Sequence, residues 1–80
     1  MTPKLIGLTA VIEYANDDQD QSFQCEFAAT PAEVEEALKG DCRAFRGLMH
    51  DVEEEMRRKR GQLKTIRVTD EHMLVCETTF

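Results

Sequence analysis

Ser22-Phe23-Gln24-Cys25-Glu26-Phe27-Ala28, followed after Ala29 by Thr30-Pro31-Ala32-Glu33, contains the switch from strand to helix on which the fold turns. In the first piece Phe23, Cys25 and Phe27 alternate with Ser22, Gln24 and Glu26, the period of two expected of a half-buried strand. In the second, Thr30 is placed to cap a helix and Pro31 to fill its first position, where the missing N–H costs nothing. Glu33 is spaced to bond back to the Thr30 backbone and complete a capping box. Upstream, Leu5–Tyr14 reads as a partner strand with Ile6, Leu8, Ala10, Ile12 and Tyr14 on its core face. The intervening Ala15–Gln21 stretch, rich in Asn and Asp, is turn chemistry, so a hairpin is expected.

Downstream, Val34, Leu38, Cys42, Phe45, Met49, Val52 and Met56 recur at spacings of three and four, one apolar stripe at helical period. A single helix of that length would run to about 45 Å. Two segments, 31–39 and 42–60, joined by a bend at Gly40, suit a chain of 80 residues better. The second segment pairs Glu53 with Arg57, Glu54 with Arg58 and Glu55 with Lys59 at the i,i+4 spacing, and stops at Gly61. Lys64–Thr69 and Met73–Thr78 then read as two strands about a turn near Asp70-Glu71, or as one long final strand. Ile66 and Val68 point inward in the first, while the second has apolar residues in both registers and leaves its register open. The expected architecture is α+β: one domain over residues 1–80, ordered ββααββ, with the helices on one face of a small antiparallel sheet.

Charge is unevenly placed along the chain. Residues 1–40 hold two basic and eight acidic side chains and residues 41–80 hold eight of each, so the net charge of −6 belongs to the first half. Apolar residues at 41% and charged residues at 32% fit a folded soluble domain. Neither a leader-like apolar core after Met1-Thr2-Pro3 nor a membrane-length apolar run occurs, and a cytoplasmic location is the expectation.

Little in the chain suggests chemistry. Cys25, Cys42 and Cys76 are odd in number and far apart, which reads as three small buried or half-buried hydrophobes rather than a disulfide framework. A zinc site joining them to His50 or His72 lacks any local ligand pair to seed it. Nothing sets Ser22, the single serine, or either histidine on a strained turn or helix N-terminus. The carboxylates fall on solvated faces, where general acid chemistry is not favoured, and the four glycines are scattered rather than forming a phosphate loop. No enzyme activity, metal or cofactor is expected.

Two surfaces remain. Glu13, Asp17, Asp18, Asp20, Glu26 and Glu36 form an acidic set in a stretch, Leu5 to Leu38, that holds no Lys or Arg, suited to a protein partner whose basic groove is built for nucleic acid. Glu33 belongs in part to the cap. Alternatively Arg57, Arg58, Lys59, Arg60, Lys64 and Arg67 form a basic cluster that could contact phosphates and make the chain a small nucleic-acid-binding regulator. The acidic reading involves no direct nucleic acid and no membrane, and is compatible with a monomer or a homodimer.

In size, acidity and lack of a catalytic motif the chain resembles small phage-encoded anti-defence proteins, in particular anti-CRISPR inhibitors. The resemblance implies a non-enzymatic inhibitor in the host cytoplasm that blocks target binding by a CRISPR effector complex, by steric obstruction or nucleic-acid mimicry. It extends over the whole chain in general character and carries over no individual residue.

Overall fold

A computed structural model describes residues 4–80. Met1, Thr2 and Pro3, where the expectation of no leader begins, lie outside the described residues. The elements are β1 (Ile6–Asn16), β2 (Gln19–Ala29), α1 (Pro31–Ala37), a 3₁₀ turn (Cys42–Ala44), α2 (Arg46–Lys59), β3 (Gln62–Thr69) and β4 (Leu74–Thr79). The four strands form one antiparallel sheet in the order β2-β1-β3-β4. This is the expected small α+β fold class, with one four-stranded antiparallel sheet and two α-helices.

The first hairpin is longer and its turn tighter than Ala15–Gln21 suggested. β1 and β2 pair without a break from Ile6↔Ala29 to Asn16↔Gln19, leaving only Asp17 and Asp18 in the turn. Both have positive φ, 49° and 64°, the signature of a type I′ turn whose twist matches that of the flanking strands. Leu8, Ala10, Ile12 and Tyr14 are buried as the alternation required.

The capping box at Thr30 is formed in full. Glu33 N donates to Thr30 Oγ1 at 3.2 Å, and Thr30 N donates to Glu33 Oε1 at 2.9 Å. α1 is shorter than the expected 31–39: Lys39 and Gly40 donate to carbonyls three residues back, and Gly40, at φ 108°, takes the chain out of the helix. The expected bend is therefore at Gly40. The apolar stripe is displaced in this helix, with Ala37 fully buried and Leu38 52% exposed.

The expected helix 42–60 is broken by one residue. Phe45, at φ −85° and ψ 80°, separates the 3₁₀ turn from α2. The cause is anchoring: Cys42 N donates to Thr78 Oγ1 at 2.9 Å, and Cys42 is joined to Cys76 of β4 by a disulfide with Cα atoms 5.7 Å apart. That pins the turn to the sheet edge, and Phe45, 1% exposed, drops into the core against Phe27 before the chain starts across the sheet as α2. The cysteine reading is thereby corrected. Cys42 and Cys76 are buried, as expected, yet paired with each other, and Cys25 is the free thiol. Leu48, Val52 and Met56 supply the buried face of α2.

α2 ends at Lys59 and is capped by Arg60, whose φ of 54° is left-handed, and Gly61 N closes the end by donating to Met56 O at 2.9 Å. Gly61 is required for space: a Cβ there would lie 2.7 Å from the Tyr14 ring. On the second hairpin, Val68 pairs with Cys76 while Thr69 pairs with Leu74, so Val75 is a bulge residue. That bulge explains the unresolved register, because Val75 and Cys76 are both buried while Leu74 is 49% exposed. Among the described residues no helix is long and apolar enough to cross a membrane.

Candidate interaction surface

The even-numbered residues Leu8, Ala10, Ile12 and Tyr14 of β1 are buried in the core, and the residues between them lie on a face that is exposed or half-buried. β1 presents Thr9, Val11, Glu13 and Ala15 there, and the register brings Glu26, Gln24, Ser22 and Asp20 of β2 opposite them. From the other side of β1 the same face receives Thr65, Arg67 and Thr69 of β3, with Glu77 opposite Arg67 on β4. A shift in register between Glu13 and Tyr14 leaves Lys64 as an extra residue in β3.

The folded chain therefore does not preserve the charge segregation seen along the sequence. Lys64 Nζ lies 2.9 Å from Asp20 Oδ1, and Arg67 Nε donates to Glu77 Oε2 at 2.6 Å. Arg67 is held more firmly protonated by its bond to Glu77, with Glu13 adding a smaller attraction. Two residues of the basic set thus stand among the carboxylates of the acidic set.

The rest of the basic set is largely satisfied at home. Arg57 pairs with Glu54 at 3.0 Å, and Arg58 with Glu55. The spacing is i,i+3 rather than the expected i,i+4; only Lys59 with Glu55 follows the longer spacing. Glu55 is drawn below the usual carboxylate range chiefly by its hydrogen bond from Arg58. Lys59 also lies over the Tyr14 and Phe23 rings, and its carbonyl accepts a bond from Asn16 Nδ2, which ties the end of α2 to the base of the acidic turn. Arg60 has no carboxylate within ion-pair distance among the described residues.

Of the acidic set, the structure gathers Glu13, Asp17, Asp18, Asp20 and Glu26 on one hairpin. Glu36 does not join them. It lies on α1, beyond the opposite end of that hairpin from the turn, 3.7 Å from Lys39 and facing a groove shared with Asp41 and Arg43. Among the described residues no ion pair involves Glu13, Asp17, Asp18 or Glu26. Asp17 and Asp18 are exposed at the protruding tip.

Three features were missed by reading the sequence. The ladder of Lys64 to Asp20 and Arg67 to Glu77 depends on strand order, which no local pattern encodes. A groove at the end of the open face, about 540 Å³ and lined by Gly7, Thr9, Glu26, Thr69 and Asp70, depends on the same pairing. The buried disulfide depends on the 3₁₀ turn reaching β4. No three of His, Cys, Asp and Glu converge into a metal site among the described residues. Comparison with protein-family models, curated proteins and solved structures finds no match to this chain.

Proposed function

We propose that this chain is a non-enzymatic binding protein whose first hairpin offers its carboxylates to the basic groove of a protein that holds nucleic acid. Such a protein would act as an inhibitor, in the manner of the anti-CRISPR proteins it resembles, by occupying the groove of an effector complex in place of DNA or RNA. The supporting observation is the turn itself. A type I′ turn is cheapest with Asn-Gly or Asp-Gly, because both central residues need positive φ. Here both are Asp, at φ 49° and 64°, exposed and without a cationic partner among the described residues. Left-handed backbone costs most non-glycine residues about 1 kcal/mol or more, and Asp less than most but more than glycine. Two adjacent carboxylates at a protruding tip also repel each other, so this turn gives up stability for charge. Glu13 and Glu26 extend the negative field down the open face.

The self-paired state of Arg57, Arg58, Lys59, Lys64 and Arg67 leaves the basic cluster little free charge, which disfavours direct phosphate binding. The test is competition: a purified CRISPR effector complex is mixed with labelled target DNA and increasing amounts of the protein. Displacement is expected from the native chain and not from a variant carrying Asp17→Asn, Asp18→Asn, Asp20→Asn and Glu26→Gln. Displacement unchanged by those substitutions, or retention of the protein on DNA alone, would sink the proposal.

A further inference from the structure

We propose that β2 is a dimerisation edge, pairing antiparallel with β2 of a second copy about a two-fold axis at Cys25 to give one eight-stranded sheet. The two outer strands of the sheet differ. β4 has six residues, and its pairing is interrupted by the bulge at Val75. β2 has eleven, in unbroken register with β1, and contains no Pro or bulge to keep an open edge from pairing, its charged side chains being Asp20 near the turn and Glu26. Because Asn16 and Gln19 close a two-residue turn, the odd-numbered residues of β2 bond to β1. The N–H and C=O groups of Asp20, Ser22, Gln24, Glu26 and Ala28 therefore point outward, unpaired.

The core face of this edge is also incomplete. Phe23, Cys25 and Phe27 are only half-buried, and a groove of about 260 Å³ lies between them and Leu48, Asp51, Val52 and Glu55 of α2. The strand is complementary to itself about Cys25. Phe23 falls opposite Phe27 of the second copy, forming two cross-strand aromatic pairs that close the groove, and Glu26 falls opposite Gln24. Registers centred on Phe23 or Glu26 instead set Glu26 against Asp20 or against itself, which like-charge repulsion disfavours. The axis is perpendicular to the sheet, so the open faces of both copies become continuous and their hairpin carboxylates are doubled on one surface. Each copy carries a net charge of −6, so association tightens as salt screens the repulsion.

The experiment is sedimentation equilibrium on the native chain, with the rate of Cys25 labelling by a maleimide as reporter, since Cys25 is the thiol outside the disulfide and lines the groove that the second copy closes. Expected are a mass of twice 9.2 kDa, labelling of Cys25 that slows as the dimer forms, and stronger association at high salt. Gln24→Pro removes an outward N–H that the fold does not use and should abolish the dimer. Gln24→Glu and Gln24→Lys, both on the open face, test the register without endangering folding. Through two opposed pairs with Glu26, the first should weaken association by about three- to ten-fold and the second strengthen it similarly. A monomer at every concentration and salt, or a dimer indifferent to Gln24→Pro, overturns the proposal. Weakening by both Glu and Lys at position 24 overturns the Cys25-centred register.

Discussion

Lys64 holds its ammonium 2.9 Å from the Asp20 carboxylate, reaching from β3 over β1 to β2. The crossing is open because Ala15, a small residue, is the one paired with Asp20 on the strand between. Both side chains are more than half exposed, at 51% and 80%, so the pair adds little to stability, within the ~0–1 kcal/mol of surface pairs. Its effect is on the field: it neutralises the carboxylate nearest the acidic turn. Lys64→Ala should change the unfolding free energy by no more than about 0.5 kcal/mol. The same substitution should increase affinity for a basic partner several-fold. Affinity that falls instead would place Lys64 itself in the contact.

The turn predicts an exchange of stability for binding. Replacing Asp17-Asp18 by Asn-Gly supplies residues suited to positive φ and removes two neighbouring charges. A gain of about 1 kcal/mol is expected, raising Tm by about 4–8 °C in a domain of this size. Binding to the basic partner should weaken in the same variant. Thermal unfolding and the DNA competition assay, run on one preparation, separate the two effects, and a variant that is destabilised would contradict the account of the turn.

Much of the fold was legible because its determinants are local. Period-two alternation placed the core faces of β1, β2 and β3, and Thr30, Pro31 and Glu33 fixed the start of α1 with the hydrogen bonds expected of them. What was not legible depends on contacts between distant segments. The break at Phe45 follows from Cys42 being held to β4, and the bulge at Val75 follows from both Val75 and Cys76 being accommodated in the core. The carboxylates of the hairpin were identified from charge alone. Their partial neutralisation by Lys64 was invisible, since Asp20 and Lys64 are 44 residues apart in the chain.

The Cys42–Cys76 bridge closes a separation of 34 residues and clamps the 3₁₀ turn to β4, the strand that β2 cannot support from the far edge of the sheet. A cross-link of that span contributes roughly 3–4 kcal/mol in the chain-entropy description. Such bonds persist in oxidising surroundings, so the state of this pair bears directly on the expected cytoplasmic location. Thiol titration in denaturant should find one reactive group before reduction and three after it. Reduction should lower Tm by upwards of about 8 °C. Three thiols before reduction would show that the two cysteines are held together without a bond.

Gly61 tests the packing between the helix end and the first hairpin. An added methyl group would meet the Tyr14 ring at 2.7 Å and the Met56 sulfur at 3.2 Å, and Tyr14 is 5% exposed with little room to turn. Gly61→Ala should therefore destabilise by about 1–3 kcal/mol through overpacking, although alanine is ordinarily the better residue near a helix. A second substitution, Tyr14→Leu, removes the ring and should recover part of that loss if the contact is the cause. Chemical denaturation of the single and double variants gives the coupling, and strict additivity would refute this explanation of the glycine.

Asp70 organises the turn between β3 and β4, with Oδ1 accepting from His72 N and Met73 N, each at 2.8 Å. Those bonds favour the ionised carboxylate and draw it below its usual range, His72 N having the larger effect and Met73 N the next. A depressed carboxylate contributes its stabilisation in full above the unfolded value of ~3.9, and loses it as pH falls through the lower folded value. The turn should thus remain ordered to below about pH 4 and loosen under stronger acid. In hydrogen-exchange and NMR titrations, the His72 and Met73 amides should respond together, with a midpoint below that of an ordinary aspartate. Asp70→Asn keeps an accepting oxygen without a titrating proton, so it should preserve the turn and abolish the acid transition, whereas Asp70→Ala should expose both amides at neutral pH. A midpoint at or above the ordinary aspartate range would show that these two bonds do not hold the loop.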